Sequence, residues 1–142
     1  SVPNVDGPRR SLQMAVKDAG IPLEEIAYIN AHATSTPVGD LNEAKAIAEV
    51  FGNHRPYVTS TKSQTGHEMW MAGASEVIYS ILMMNNGFIA PNLNFEEPDE
   101  ASALLNIPSR RIETEFDTFL SNSFGFGGTN SSLIIRKFKE NN

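Results

Sequence analysis

The chain has 142 residues, 40% of them hydrophobic, which is enough for one packed domain and too little for two ordinary ones. Its formal net charge of −6, without a block of lysine or arginine, argues against nucleic acid as the main partner. The absence of cysteine excludes disulfides, thiolate metal sites and a thiol nucleophile from this chain. Because no apolar run reaches about 18 residues and no signal pattern is present, we expect no membrane segment and a cytoplasmic location.

The first part of the sequence predicts two helices and one strand. The stretch DGPRRSLQMAVKDAG predicts an amphipathic helix with Asp6 as its cap. The alternation in IAYINAH predicts a buried strand over residues 26–31. The spacing of Asp40 and Glu43 is typical of a helix start, and this second helix is expected to end at Gly52. Its inward-facing residues are predicted to be Leu41, Ala44, Ile47, Ala48 and Phe51.

The remaining sequence predicts one more helix and three strands. After a strand over residues 57–61, a helix from Met69 to Met84 is apolar on nearly every face and must therefore be covered on all sides. The segment from Phe88 to Glu115 is rich in Pro, Asn and Glu and predicts a long surface excursion. Strands over 118–123 and 131–137 are joined by the glycine-rich turn SFGFGGTN.

Three loops at predicted strand ends carry the unusual side chains of this sequence. Loops that leave the carboxyl ends of parallel strands converge on one edge of a sheet, which would bring His32, Lys62 and His67 into one pocket. Each residue also has a simpler interpretation, because a single histidine is more often a structural hydrogen-bonding group and a single lysine is usually solvated. His54, in the turn GNHRP, is predicted to lie on the surface. The histidine spacing does not fit a metal site, and SFGFGGTN lacks the pattern of a phosphate loop, so neither is predicted.

Taken together and in this order, NAHATSTPVGD, TSTKSQTGH and NSFGFGGTN resemble the carboxyl-terminal half of β-ketoacyl-acyl-carrier-protein synthases, the condensing enzymes of fatty-acid synthesis. The resemblance extends from about Gly7 to Phe138 and includes GFIAPNLNFEEPDE and SSLIIRKF. One histidine in each of the first two motifs is similar to the His-His class of these enzymes. The resemblance implies a thiolase-like fold, in which residues 1–142 form a single layered α/β domain with a mixed sheet whose last strand is antiparallel.

The resemblance also implies catalytic roles for four residues. His32 and His67 would donate hydrogen bonds to the malonyl thioester carbonyl as decarboxylation converts it into an enolate. Lys62 would orient the second histidine and supply a positive field. Glu43 would pair with this lysine, since a buried lysine without a partner is costly. The acyl group would be held on a cysteine of the amino-terminal half, which this chain lacks.

Three further residues and the partners follow from the same resemblance. The backbone N–H of Phe126 would contribute to the oxyanion hole while its ring gates the acyl pocket. Thr34 and Thr36 would contact the phosphopantetheine arm of acyl carrier protein, so no resident cofactor or metal is implied. The implied partners are acyl carrier protein, the amino-terminal half of the synthase and, for the full-length enzyme, a second copy.

Ala33, Trp70 and Met71 depart from the family pattern, which usually has small residues at the last two positions and glycine at the first. Core filling is the simpler explanation for Trp70, and the alternative is that its bulk reshapes the acyl pocket or the contact with the amino-terminal half. The preferred length of the acyl chain therefore stays open.

Three functions remain open from the sequence. The first is a part of a condensing enzyme that supplies His32, Lys62 and His67 to a cysteine elsewhere, in fatty-acid or polyketide synthesis. The second is a noncatalytic partner resembling a chain-length factor, and retention of both histidines and the lysine favours the first over it. The third is a stand-alone serine hydrolase, which would need a nucleophile turn such as G-x-S-x-G that the sequence does not contain.

Overall fold

The computed structural model describes residues 5–32, 37–59, 72–91, 102–124 and 130–138. The helices are α1 (Asp6–Ala19), α2 (Pro37–Phe51) and α3 (Ala72–Asn86), with short 3₁₀ turns at Leu23–Glu25 and Ser102–Leu104. The strands are β1 (Tyr28–Asn30), β2 (Tyr57–Thr59), β3 (Phe88–Ile89), β4 (Ile112–Glu113), β5 (Thr118–Phe124) and β6 (Asn130–Arg136).

Four of these strands form the main sheet, in the order β2-β1-β5-β6. Strand β1 is parallel to both β2 and β5, whereas β6 is antiparallel to β5 along seven residue pairs. Within the described residues, the four strands predicted from the sequence are confirmed, and so is the antiparallel direction of the last one. Residues 60–61 of the second predicted strand and residues 69–71 of the third predicted helix lie outside the described residues. Because β1, β2 and β5 are mutually parallel, their carboxyl ends lie at the same edge of the sheet.

The sheet separates two apolar cores. On one face, α1 and α2 pack on a cluster whose buried members include Leu12, Ile29 and Leu120. On the other face lies α3, next to a cluster that includes Met83 and Phe119. Alternation of side chains along β1 and β5 sends neighbouring residues to opposite faces, which is why both cores draw on the same two strands. The predicted three-layer α/β arrangement is therefore confirmed.

The predicted starts of the first two helices need correction. Asp6 lies inside the first turn of α1, and the N-cap position is held by Val5 without a side-chain cap. Helix α2 begins at Pro37, three residues before the predicted start at Asp40. Glu43 therefore lies in the helix interior, where it binds a group outside the helix instead of closing a cap. Proline suits the first turn because its missing N–H has no intrahelical partner there.

The segment from Phe88 to Glu115 contains more structure than the predicted surface excursion. Strands β3 and β4 pair antiparallel, with Ile89 opposite Ile112. Ile89 is fully buried, and the Arg111 guanidinium lies 3.9 Å from the centre of the Phe88 ring. For these residues the prediction was wrong, because apolar side chains flanked by proline and asparagine reach the second core.

Two features of the helices bear on function. Ile78 and Leu82, one turn apart on α3, are 59% and 52% exposed, so this helix is covered only in part by the described residues. Within the described ranges, no helix is both long and apolar enough to span a membrane.

His54 also differs from its prediction. Its ring is half-buried, with Nε2 2.8 Å from the Ile26 carbonyl oxygen and its centre 6.2 Å from that of Phe51. The prediction of a surface histidine was wrong, because this imidazole hydrogen-bonds to the segment before β1 and so connects that segment to the end of α2.

Candidate active site

His32 lies two residues beyond the carboxyl end of β1, and α2 fixes its main chain. The preceding amide, of Ala31, donates to the Thr59 carbonyl oxygen at 2.8 Å, which extends the pairing of β1 with β2. The backbone N–H of His32 then donates to Glu43 Oε2 at 2.7 Å. The backbone that carries the half-buried imidazole is therefore fixed by β2 through Ala31 and by α2 through Glu43.

Glu43 is the charged group at the centre of this arrangement. Its side chain is only 4% exposed, and a buried carboxylate is costly unless hydrogen-bond donors surround it. Besides the His32 amide, Asn122 Nδ2 donates to the same Oε2 atom at 3.2 Å. Hydrogen bonds to an ionised carboxylate are stronger than neutral ones, so these contacts stabilise both the buried charge and the backbone that it holds.

The hydrogen bonds continue from Asn122 toward α1. Asn122 and Ser132 are cross-strand partners on β5 and β6, and Ser132 Oγ donates to Asn122 Oδ1 at 2.8 Å. Ser11, on α1, lies with its Oγ 2.8 Å from that of Ser132. We call this series, from Ser11 through Ser132 and Asn122 to Glu43, the serine–asparagine chain.

A second buried polar group lies on the α3 face of the sheet. The hydroxyl of Tyr28 lies 2.6 Å from Thr59 Oγ1, and Asn30 Nδ2 donates to Ser80 Oγ at 3.2 Å. Ser80 in turn donates to the Glu76 carbonyl oxygen at 2.8 Å. Burial raises the pKa of Tyr28 to about 12, and the nearby charge of Glu76 acts in the same direction, while hydrogen bonds from surrounding side chains oppose the shift.

The structure brings together two of the seven predicted site residues, His32 and Glu43. The other five, Thr34, Thr36, Lys62, His67 and Phe126, lie outside the described residues. The meeting of His32 with His67 and the pairing of Glu43 with Lys62 therefore stay predictions. Within the described ranges, no three His, Asp or Glu side chains are grouped as they would be around a metal ion.

Sequence reasoning missed Asn122, Ser132 and Ser11. The available signal was weak, because a polar residue in a strand usually faces solvent. Only the pairing of β5 with β6 shows that Asn122 and Ser132 face each other, and Asn122 is fully buried.

Solved structures that resemble this chain define its class. A beta-ketoacyl synthase from Burkholderia phymatum STM815 superposes with a TM-score of 0.89 at 40% identity, covering 96% of this chain and 34% of that one. A type II PKS ketosynthase, solved with its acyl-carrier protein and bound to the hexaketide, gives a TM-score of 0.88 at 34% identity, covering 98% and 35%. The chain thus has the thiolase-like fold of the ketosynthases, as predicted.

Sequence comparisons identify the family. Residues 1–96 match the family described as Beta-ketoacyl synthase, C-terminal domain. The 3-oxoacyl-[acyl-carrier-protein] synthase 1 of Escherichia coli (strain K12) is 49% identical over 138 residues, which cover 97% of this chain and 33% of that protein. The chain therefore belongs to the beta-ketoacyl synthase family. It spans about a third of the length of the curated relatives that it matches.

Proposed function

We propose that this chain is the carboxyl-terminal part of a 3-oxoacyl-[acyl-carrier-protein] synthase and supplies the groups that promote decarboxylation of the malonyl unit. The observation that carries the proposal is the position of His32. This chain belongs to the ketosynthase family, and its His32 follows a central parallel strand. The backbone N–H of His32 donates to the buried Glu43 Oε2 at 2.7 Å. Such fixation is what a hydrogen-bond donor needs if it is to act at a developing charge.

In the proposed reaction, the malonyl thioester loses carbon dioxide, and the electron pair of the broken carbon–carbon bond passes into an enolate. The imidazoles of His32 and His67 donate hydrogen bonds to the enolate oxygen, with Lys62 orienting the second histidine. The enolate carbon then attacks an acyl thioester held on a cysteine, and the sulfur leaves as a thiolate. The backbone N–H of Phe126 stabilises the oxyanion formed in that attack.

The substrate would arrive on the phosphopantetheine arm of acyl carrier protein, held by the hydroxyls of Thr34 and Thr36. The complex of a similar ketosynthase with its acyl-carrier protein supports this partner. We propose that no resident cofactor or metal takes part, that the whole enzyme is a cytoplasmic homodimer, and that residues 1–142 form one of its domains.

The chain alone should perform no condensation. It contains no cysteine to carry the acyl group, so an enolate formed on it would have no acyl-enzyme to attack. The exposed Ile78 and Leu82 on α3 are consistent with cover by the amino-terminal half of the enzyme.

A chimaeric synthase tests the proposal. This chain would replace the corresponding 138 residues of the Escherichia coli synthase 1, which retains its own cysteine-bearing part. We expect the chimaera to form β-ketoacyl product from acyl- and malonyl-carrier protein, as measured by mass spectrometry, and the 142-residue chain to form none.

Two variants of the chimaera probe the mechanism. His67→Ala should abolish malonyl decarboxylation because it deletes a donor to the enolate, whereas His54→Ala is the matched control and should retain it. Decarboxylation by the His67→Ala variant at the unmutated rate would remove His67 from the mechanism. An inactive but folded chimaera would contradict the proposed function as a whole.

A further inference from the structure

We propose that Ser132, supported by Ser11, is a positioning residue for His32 and acts through Asn122 and Glu43. The inference rests on the proposed function in one respect, since it gives the position of His32 a catalytic meaning. The hydrogen bonds join Ser11 on α1 to Glu43 on α2 through β6 and β5. Ser132 lies two residues after the glycine-rich turn that carries Phe126, and neither serine is among the predicted catalytic residues.

The direction of each hydrogen bond in the serine–asparagine chain follows from its neighbours. The hydroxyl hydrogen of Ser132 is used toward Asn122 Oδ1, so Ser11 must donate to the Ser132 oxygen. The amide of Asn122 accepts at Oδ1 and donates from Nδ2 to Glu43. Every donor therefore points toward the carboxylate, which is the arrangement in which successive hydrogen bonds polarise one another.

The serine hydroxyl fixes which way the Asn122 amide faces. If the amide were reversed, its oxygen would meet the Glu43 carboxylate and its nitrogen would meet the hydrogen of Ser132. Removing the Ser132 hydroxyl leaves Oδ1 of a fully buried asparagine without this donor, and a buried polar atom without a partner is costly. The amide would then shift in search of another donor and weaken its 3.2 Å contact with Glu43.

Glu43 passes this constraint to His32. Its Oε2 atom accepts from both Asn122 and the His32 backbone N–H, so a carboxylate that loses one donor gains freedom to move away from the other. Displacement of His32 by a fraction of an ångström would misplace its imidazole donor relative to the enolate oxygen. Small displacements of this kind lower the rate of the chemical step even when the substrate still binds.

Backbone NMR of the 142-residue chain tests the hydrogen bonds without reference to activity. Labelling with ¹⁵N-histidine gives three backbone amide signals, because the chain contains three histidines. Substitution of His54 and His67 assigns the signal of His32. A short hydrogen bond to a carboxylate moves an amide proton downfield and slows its exchange with solvent.

The variants are chosen to differ by a single hydroxyl. Ser132→Val should move the His32 signal upfield and speed its exchange roughly fivefold, the equivalent of one neutral hydrogen bond of about 1 kcal/mol. Ser132→Thr keeps the hydroxyl and should preserve the signal. Ser131→Val is the matched control, because this neighbour is exposed on the opposite face of β6. Combining Ser11→Ala with Ser132→Val should add little, since both act along one path.

Kinetics of the chimaeric synthase test the catalytic meaning. Ser132→Val should lower kcat roughly fivefold, corresponding to about 1 kcal/mol, and leave KM within about twofold, because Ser132 does not touch the substrate. Ser132→Thr should restore kcat.

The outcomes distinguish this inference from the proposed function. A His32 amide signal that is unchanged in Ser132→Val, or changed equally by Ser131→Val, would overturn the inference whatever the activity. A changed signal with an unchanged kcat would overturn the positioning role. An inactive parent chimaera would contradict the proposed function, while the amide signal would still decide whether Ser132 holds His32.

Discussion

Because the phenol of Tyr28 is buried, the free energy of unfolding of this chain should depend on pH in the alkaline range. Its hydroxyl lies in the second core, 2.6 Å from Thr59 Oγ1, and burial raises its pKa from 10.0 to about 12. An unfolded chain releases the phenolic proton near pH 10, whereas the folded chain keeps it until about pH 12. Between these values the unfolded state binds fewer protons, so the free energy of unfolding falls as the pH rises.

The size of the effect follows from the two pKa values. Each tenfold difference in proton affinity corresponds to about 1.4 kcal/mol. The difference between 10.0 and about 12 therefore predicts a loss of about 3 kcal/mol from this group across that pH range, and no loss below pH 10.

Urea unfolding of the chain and of Tyr28→Phe, measured from pH 8 to pH 12, checks this prediction. At pH 8 the variant should be less stable by about 1–3 kcal/mol, because the Thr59 hydroxyl loses a buried partner. Above pH 10 only the unmutated chain contains the Tyr28 phenol, so the difference should shrink by up to about 3 kcal/mol and vanish or reverse by about pH 12. Met83→Leu, a core change without a titrating group, should differ from the unmutated chain by a constant amount. A constant difference for Tyr28→Phe across the whole range would refute the reasoning.

Two further predictions concern the surface and the core. Replacing the exposed Ile78 and Leu82 by lysine should raise the concentration at which the chain self-associates by about tenfold or more, since each buried aliphatic side chain contributes about 1.5–3 kcal/mol. Light scattering over a dilution series measures this concentration. A strictly monomeric unmutated chain would contradict the prediction. Phe119→Ala, at a fully buried position, should lower the free energy of unfolding by about 3–5 kcal/mol. Leu133→Ala, at a position that is 51% exposed, should change it by about 0.5 kcal/mol or less. Urea unfolding compares the two variants, and equal effects would contradict the assigned burial.

The three helices and the four strands of the main sheet were predictable because their signals are local. Period-two alternation before His32 and the short β-branched and aromatic stretches at residues 57–61 and 118–123 depend only on neighbouring residues. The start of α2 shows the limit of local signals. Asp40 and Glu43 have the spacing of a helix start, but Glu43 is bound to an amide eleven residues away along the chain, in the segment after β1. Spacing alone does not distinguish a cap from a buried carboxylate with a distant partner.

The candidate site was predictable only where a motif marks it. His32 and Glu43 were named because they stand in a recognisable stretch, and the structure joins them. Asn122 begins NSFGFGGTN and Ser132 lies in SSLIIRKF, but the resemblance assigned neither residue a role, and their contact depends on how β5 aligns with β6. Sequence separation hides a contact of this kind until the pairing of the strands is known.

The central strand β1 sends its polar side chains to one face of the sheet and its isoleucine to the other. Tyr28 takes part in the polar group beside α3, and Asn30 does the same, whereas Ile29 belongs to the apolar core beneath α1 and α2. A slip of one residue during folding would exchange the faces, forcing the phenol and the amide into hydrocarbon and an isoleucine among hydroxyls. A chain with the shifted register would thus contain several unsatisfied buried polar groups at once, so the polar side chains of β1 favour the native register.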